Sequence, residues 1–173
     1  MTSYSTSYFK KFFLDNSEKE LTIRAKLLQK NFVDTFNKDQ GQIHYIDELC
    51  KDIGIKTGTR ITIVLPSGVV VGDSFGDINI MENHMKRPEI MEAINNKKGV
   101  SIRYSSTLDK NMLYIALPMI HNNKLIAILR TSLSTSEIDA KIKSARNNII
   151  IAMFFAILAA AIASLYVSKK IAQ

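Results

Sequence analysis

Residues 59–74 read Thr-Arg-Ile-Thr-Ile-Val-Leu-Pro-Ser-Gly-Val-Val-Val-Gly-Asp-Ser, and within them the apolar period of the chain changes from helical to alternating. Ile61, Ile63 and Leu65 point one way and Arg60, Thr62 and Val64 the other, which is the two-residue repeat of a strand. Pro66-Ser67-Gly68 supplies turn chemistry, because proline presets φ for a first central position and glycine suits the exit. The β-branched run Val69-Val70-Val71 then returns as a second strand, so a hairpin is predicted that ends in Gly72-Asp73-Ser74.

Downstream of the hairpin, residues 75–87 show no clean period, and Met81 to Met85 amount to one helical turn at most. Pro88 fits a first helical position, and Ile90, Met91, Ala93 and Ile94 make a short amphipathic helix to Asn96, with Gly99 beyond it. Three strands follow, over 100–105, 112–118 and 125–133. The turns between them, 108–111 and 121–124, are short and polar, so the three form an antiparallel meander.

Upstream, Ile46, Leu49, Cys50 and Ile53 recur at helical spacing, with Gly54 suited to a left-handed stop. A polar break at 37–41 precedes them. From 9 to 36 the chain has no proline or glycine, and Leu14, Leu21, Ala25, Leu28 and Phe32 form a narrow helical stripe flanked by charges. A stripe of that width suits one strand of a parallel helical pair, so these five residues are the expected seam of a homodimer. Ile23 and Leu27 add a second apolar face, and packing on the chain's own domain is the other use of such a helix.

Near the far end, residues 149–167 read IIIAMFFAILAAAIASLYV, with no charged, amide or proline side chain. Nineteen residues at 1.5 Å each give about 28 Å, close to the thickness of a bilayer's hydrocarbon core, so a transmembrane helix is expected. Ser164 is its polar exception. Tyr166 sits at an interfacial position, and Lys169 and Lys170 follow, which places the C-terminal end in the cytoplasm. Ser134-Thr-Ser-Glu137 has the spacing of a capping box. Ile138, Ile142, Ala145 and Ile149 then carry the helical stripe into the span, so one rigid rod is expected from the last strand into the membrane.

The expected division is thus a dimerisation helix over 1–36, a sensor-sized domain over 37–134, a juxtamembrane helix over 135–148, the span over 149–167 and the start of a cytoplasmic linker over 168–173. The fold class is α+β: a five-stranded antiparallel sheet with helices along one side and a C-terminal transmembrane helix. Of the 173 residues, those outside the span and its flanks suffice for one ordinary domain. The net charge of +7 is spread among acidic residues with no aromatic-interleaved basic patch, so nucleic-acid binding is not expected. Cys50 is the lone cysteine, which excludes an intramolecular disulfide and makes it a small core residue. The first ten residues lack the pattern of a signal peptide. If the domain lies outside the cell, an upstream span is expected to carry it there, whereas a tail-anchored protein would keep it in the cytosol.

The order of elements matches the PAS/Cache-like extracytoplasmic sensor folds. In addition, GTRITIVLPSGVVVGDS at 58–74, MENHMKRPEIMEAI at 81–94 and GVSIRYSSTLDKNMLYIALPM at 99–119 resemble the sensor region of bacterial PhoR-type histidine kinases of the phosphate-regulon kind. The resemblance covers roughly residue 9 to the end. It implies a homodimeric receptor in the inner membrane, with a HAMP domain, a phospho-accepting helical pair, an ATP-binding kinase domain and hence a response regulator downstream of Gln173. The chain itself carries no His-box and no nucleotide-binding motif, so it is expected to be no enzyme. An input domain of a chemoreceptor or cyclase shares the same features up to Gln173.

Polar residues at strand ends and in the irregular stretch are the candidate ligand contacts: Asp73, Ser74, His84, Arg87, Arg103 and Tyr114. Arg87 and Arg103 are suited to clamp a carboxylate or phosphate through paired N–H donors, with Ser74 adding a hydroxyl. A cationic ligand would select Asp73 instead. The structural alternatives are Asp73 as a turn former paired with Arg87, Tyr114 as core and His84 as a satisfied loop histidine. His84 and Glu82 have no second His or Cys in that stretch, so no metal and no cofactor is expected. A small anion or a partner protein outside the membrane is the expected stimulus, relayed by a small piston or rotation of the rod.

Overall fold

The structure, a computed structural model, describes residues 2–38 and 43–171, and their side chains except those of 2–7, 9, 37–38, 43, 137–138, 141 and 163–171. Residues 39–41 of the polar break, the Glu137 carboxylate of the expected capping box and the side chains of Ile138, Ser164, Tyr166, Lys169 and Lys170 lie outside that description.

The elements run α1 (Thr2–Lys38), α2 (Ile43–Thr57), β1 (Arg60–Val64), β2 (Val70–Asp73), a 3-10 turn (Ile78–Ile80), α3 (Pro88–Asn96), β3 (Gly99–Ser105), β4 (Lys110–His121), β5 (Lys124–Ser134) and α4 (Thr135–Ile171). The strands form one antiparallel sheet in the order β2-β1-β5-β4-β3. At the β1–β2 turn the Gly68 amide donates to the Leu65 carbonyl (2.8 Å), and Gly68 has φ +86°, which a β-carbon would oppose. At the β4–β5 turn Asn122 and Asn123 both have positive φ, the two-residue conformation that matches strand twist. The helical turn expected within 81–85 sits instead at Ile78–Ile80, where the Asp77 carboxylate caps the Asn79 amide (3.0 Å).

Alternation gives the sheet two buried faces. Ile61, Ile63, Leu117, Met119, Ala127 and Leu129 meet Ala25 and Phe32 of α1 and Ile46 and Cys50 of α2. Val64, Val70, Ala116 and Ile128 point the other way and meet Ile90 and Ala93 of α3. The helices therefore lie on both sides of the sheet, not along one side. The amphipathic pattern of α3 marks which residues it buries, and only the packing shows which side of the sheet receives them.

The stripe on α1 is used inside the chain. Leu21, Ala25 and Phe32 are buried against the sheet, and Leu28 packs beside them. Two hydrogen bonds fix the helix there: Thr131 Oγ1 donates to the Leu21 carbonyl (3.2 Å) and Gln29 Nε2 to the Pro118 carbonyl (2.6 Å). Leu14 lies farther along, facing a groove between α1 and β3. Tyr8, Phe12, Ile23 and Leu27 face outward, each more than half exposed.

Gly54 is not the stop of α2, which continues to Thr57 and ends at Gly58 with φ +61°. Gly54 is required by close approach, since a β-carbon there would lie 2.2 Å from that of Ser74. Helix α4 leaves β5 without a break, and Ser134 Oγ accepts from the Ser136 amide (3.3 Å) at its start. Its segment Ile142–Ile162 is long and apolar enough to cross a membrane, with a mean hydropathy of 1.8 and no part buried against the rest of the chain.

Candidate ligand site

The sheet face that carries α3 turns charged toward its other end. Strand alternation puts Arg60 and Thr62 of β1, Asp73 of β2, Arg103 of β3, Tyr114 of β4 and Arg130 of β5 on that face, and the pairing register sets Thr62 beside both Asp73 and Arg130. Glu89, in the first turn of α3, comes down onto it with no exposed surface.

Two ion clusters result. Asp73 accepts from Arg60 Nε (3.1 Å to each oxygen), from Thr62 Oγ1 (2.7 Å) and from the amides of Phe75 (3.0 Å) and Gly76 (2.9 Å), and Arg60 Nη2 lies 3.1 Å from its Oδ2 as an ion pair. Glu89 accepts from Arg103 Nη2 (2.6 Å) and Nε (3.1 Å) and from Arg130 Nη1 (3.2 Å). Arg130 Nη2 reaches Thr62 Oγ1 (3.1 Å), which links the clusters. The guanidinium carbons of Arg103 and Arg130 lie 4.2 and 4.8 Å from the Tyr114 ring centre, within cation–π range. Three buried or half-buried guanidinium groups thus face two carboxylates, and the buried Arg130 Nε has no partner.

Charge and burial set the protonation states. Burial pushes the Glu89 carboxyl up, but the Arg103 hydrogen bonds and the Arg130 charge outweigh it and hold Glu89 below the ordinary carboxylate range. His84 lies against the same cluster, its Nδ1 2.7 Å from the Glu82 carbonyl. Burial first, and then the charge of Arg130, lower it to about 4, so it is neutral at pH 7.

At the centre, Arg60, His84, Arg87, Arg103, Tyr114 and Arg130 enclose a cavity of about 10 Å³, too small for more than one water. Outside it lies a groove of about 350 Å³ walled by Asp77, Met81, Glu82, Ser106 and Thr107, and His84 and Arg87 border both. Among the described residues no three His, Cys, Asp or Glu side chains gather as a metal site requires.

Of the six residues expected at a ligand site, His84, Arg87, Arg103 and Tyr114 come together here. Asp73 adjoins them, but its oxygens are filled, and its ion-pair partner is Arg60, not Arg87; Arg87 pairs with Glu82 instead (3.3 Å). Ser74 Oγ accepts from the Ile61 amide (2.9 Å) and supports the sheet edge. Sequence reasoning missed Arg60, Glu89 and Arg130. A signal for Arg130 existed: it is a lone charge within Leu125–Leu133, at a position alternation sends to the core. Glu89 was masked because an acid just after Pro88 is what any helix N-terminus favours.

No family model matches the chain, and no curated protein sequence matches it. Solved structures do. The sensor domain of E. coli DcuS aligns with a TM-score of 0.60 at 14% identity, over 76% of this chain and 98% of that one. The sensor domain of the V. cholerae histidine kinase DctB aligns at 0.58 and 17% identity, over 79% and 57%. The ligand-binding domain of the Campylobacter jejuni chemoreceptor Tlp3, in complex with L-valine, aligns at 0.57 and 10% identity, over 78% and 60%. The chain therefore spans nearly all of the DcuS domain and a little over half of the other two. In fold it is similar to the PAS/Cache-like sensor domains of histidine kinases and chemoreceptors.

Proposed function

We propose that this chain is the sensing and relay portion of a membrane receptor, and that a small anion bound between the charged sheet face and α3 is its stimulus. One observation carries the reading: Arg60, Arg103 and Arg130 outnumber the carboxylates buried with them, and Arg130 Nε is left without a partner. Excess buried positive charge is costly unless an anion compensates it, so such a cluster suits anion capture better than support of a fold. Signal transfer then runs through β5, which holds Arg130 and continues into α4.

In this reading the domain is extracytoplasmic, α4 crosses the inner membrane and the output is a cytoplasmic histidine kinase of the PhoR type acting on a response regulator. The fold likeness supports the sensor, and the resemblance at 58–74, 81–94 and 99–119 supports the kinase class. The phosphate regulon names the resemblance and not the ligand. A chemoreceptor output is the second reading, favoured by the likeness to Tlp3. Homodimerisation is assigned to the outward stripe of α1, Tyr8, Phe12, Ile23 and Leu27, since Leu21, Ala25, Leu28 and Phe32 of the stripe expected to serve it pack within the chain.

Thermal melting of the full chain in detergent, against succinate, phosphate and amino acids with chloride as ionic control, tests the anion. A ligand at 100 times its Kd adds about 2.7 kcal/mol, a shift on the order of 10 °C. The shift should shrink in Arg87→Ala, which loses only an exposed partner. No shift with any anion would replace the reading with a relay module driven by a partner protein.

A further inference from the structure

The two guanidinium groups best placed to read a ligand carboxylate are already reading one. Arg103 presents Nε and Nη2 to the two oxygens of Glu89 at 3.1 and 2.6 Å, the parallel two-bond pairing by which arginine recognises a free carboxylate. Arg130 Nη1 adds a third bond at 3.2 Å to the same oxygen as Nη2. Glu89 has no exposed surface, and the cavity among the guanidinium groups it meets is only about 10 Å³, while the groove outside is about 350 Å³. His84 and Arg87 stand between the two, and Arg87 occupies the N-cap position of α3 without a side-chain cap bond.

We infer that Glu89 is a built-in ligand: its carboxylate holds the site closed, and an effector carboxylate enters from the groove by taking its place on Arg103 and Arg130. This rests on the anion reading above. Exchange of one carboxylate for another keeps Arg103 and Arg130 paired, so neither state carries a bare guanidinium pair, and the second carboxylate of a ligand such as succinate supplies the negative charge that the three guanidinium groups lack. The planar slot suits an organic carboxylate better than a tetrahedral oxyanion. Displaced Glu89 must leave the sheet, and its own carbonyl packs so tightly on Gly99 that a β-carbon there would lie 1.8 Å away. Its departure therefore shifts the first turn of α3 against β3, and the ligand's arrival becomes a movement of the sheet.

The test is chemical rescue in the full chain in detergent. Glu89→Ala removes the built-in carboxylate, so its melting midpoint should fall on the order of 10 °C. Acetate or formate, and not chloride at equal ionic strength, should restore at least half of that loss while leaving the wild type unmoved. If Glu89→Ala does not fold, Glu89→Gln keeps the volume without the charge, and succinate should bind it at least tenfold more tightly than the wild type. Acetate acting equally on Glu89→Ala and wild type would overturn the exchange and leave the anion site standing, as would a wild type that responds to succinate beside a Glu89 variant that gains nothing. If no anion moves any of these proteins, the anion reading falls, and the exchange with it.

Discussion

Replacing Asp73 by asparagine changes one atom and should cost much of the domain's stability. Asp73 is wholly buried and Arg60 nearly so, and its guanidinium meets Asp73 through three contacts of 3.1 Å. Asparagine can keep one oxygen for the Phe75 and Gly76 amides and Arg60 Nε. Its NH2 then occupies the other position, where the Thr62 hydroxyl now donates and Arg60 Nη2 lies 3.1 Å away. Donor meets donor, and the Arg60 charge is left buried without a counter-ion. Breaking a buried pair in this way costs about 3–5 kcal/mol, against total stabilities of about 5–15 kcal/mol. The melting midpoint should fall by about 10–20 °C, read by circular dichroism at a strand wavelength in mild detergent at pH 7. Asp52→Asn is the control: it loses an exposed i,i+4 pair with Lys56 (2.7 Å) and should move the midpoint by no more than about 2 °C. Adding Arg60→Met to Asp73→Asn should recover part of the loss by removing the orphaned charge. If Asp73→Asn melts within a few degrees of Asp52→Asn, the face is wetter than its burial implies and the ion cluster does not organise it.

Acidification gives a second test. Because His84 titrates near 4 when folded and near 6.5 when not, the unfolded chain binds more protons between those values, and stability present above pH 6.5 is lost as the pH falls toward 4. That loss should reach at most about 3 kcal/mol, and His84→Gln should flatten it; an unchanged slope would locate the titration elsewhere. A further loss should remain in His84→Gln as the pH falls below the ordinary carboxylate range, because Glu89 is held ionised in the fold and takes up its proton more readily when unfolded. Gly99→Ala should destabilise by about 2 kcal/mol or more, since the clash is with the Glu89 backbone and α3 must lift; a neutral effect by denaturant titration would contradict the tight α3–β3 contact. Inserting Gly-Pro-Gly after Lys143 should abolish signalling in a receptor fusion while leaving the domain's melting unchanged, and retained signalling would exclude a rigid α4. Cysteine at Leu27 should give disulfide-linked dimers and cysteine at Leu21 none, because Leu27 is 72% exposed and Leu21 is 2%.

What was legible in the sequence was local. The alternation at 59–65, the turn residues Pro66 and Gly68, the Pro88 start of α3, the paired asparagines of the last turn and the apolar run beyond 149 each act through a few neighbouring residues. These were enough for a five-stranded antiparallel sheet with a membrane-length helix, and the order of elements then pointed to the sensor fold. Beside the ion clusters, His84, Arg87, Arg103 and Tyr114 were visible as polar groups at strand ends or in the irregular stretch between strands.

What only the tertiary structure decided was which surfaces meet. Periodicity shows that Leu21, Ala25, Leu28 and Phe32 share one face of a helix, but the same stripe serves a second copy or the chain's own sheet equally well, since apolar burial has no preferred partner. The side of the sheet that α3 covers is likewise free until packing chooses it. Arg130 and Glu89 are 41 residues apart in the chain, and no local rule relates them. Their pairing follows from a strand register and a helix placement together, and that long-range coincidence is what turns scattered charges into one buried ion cluster.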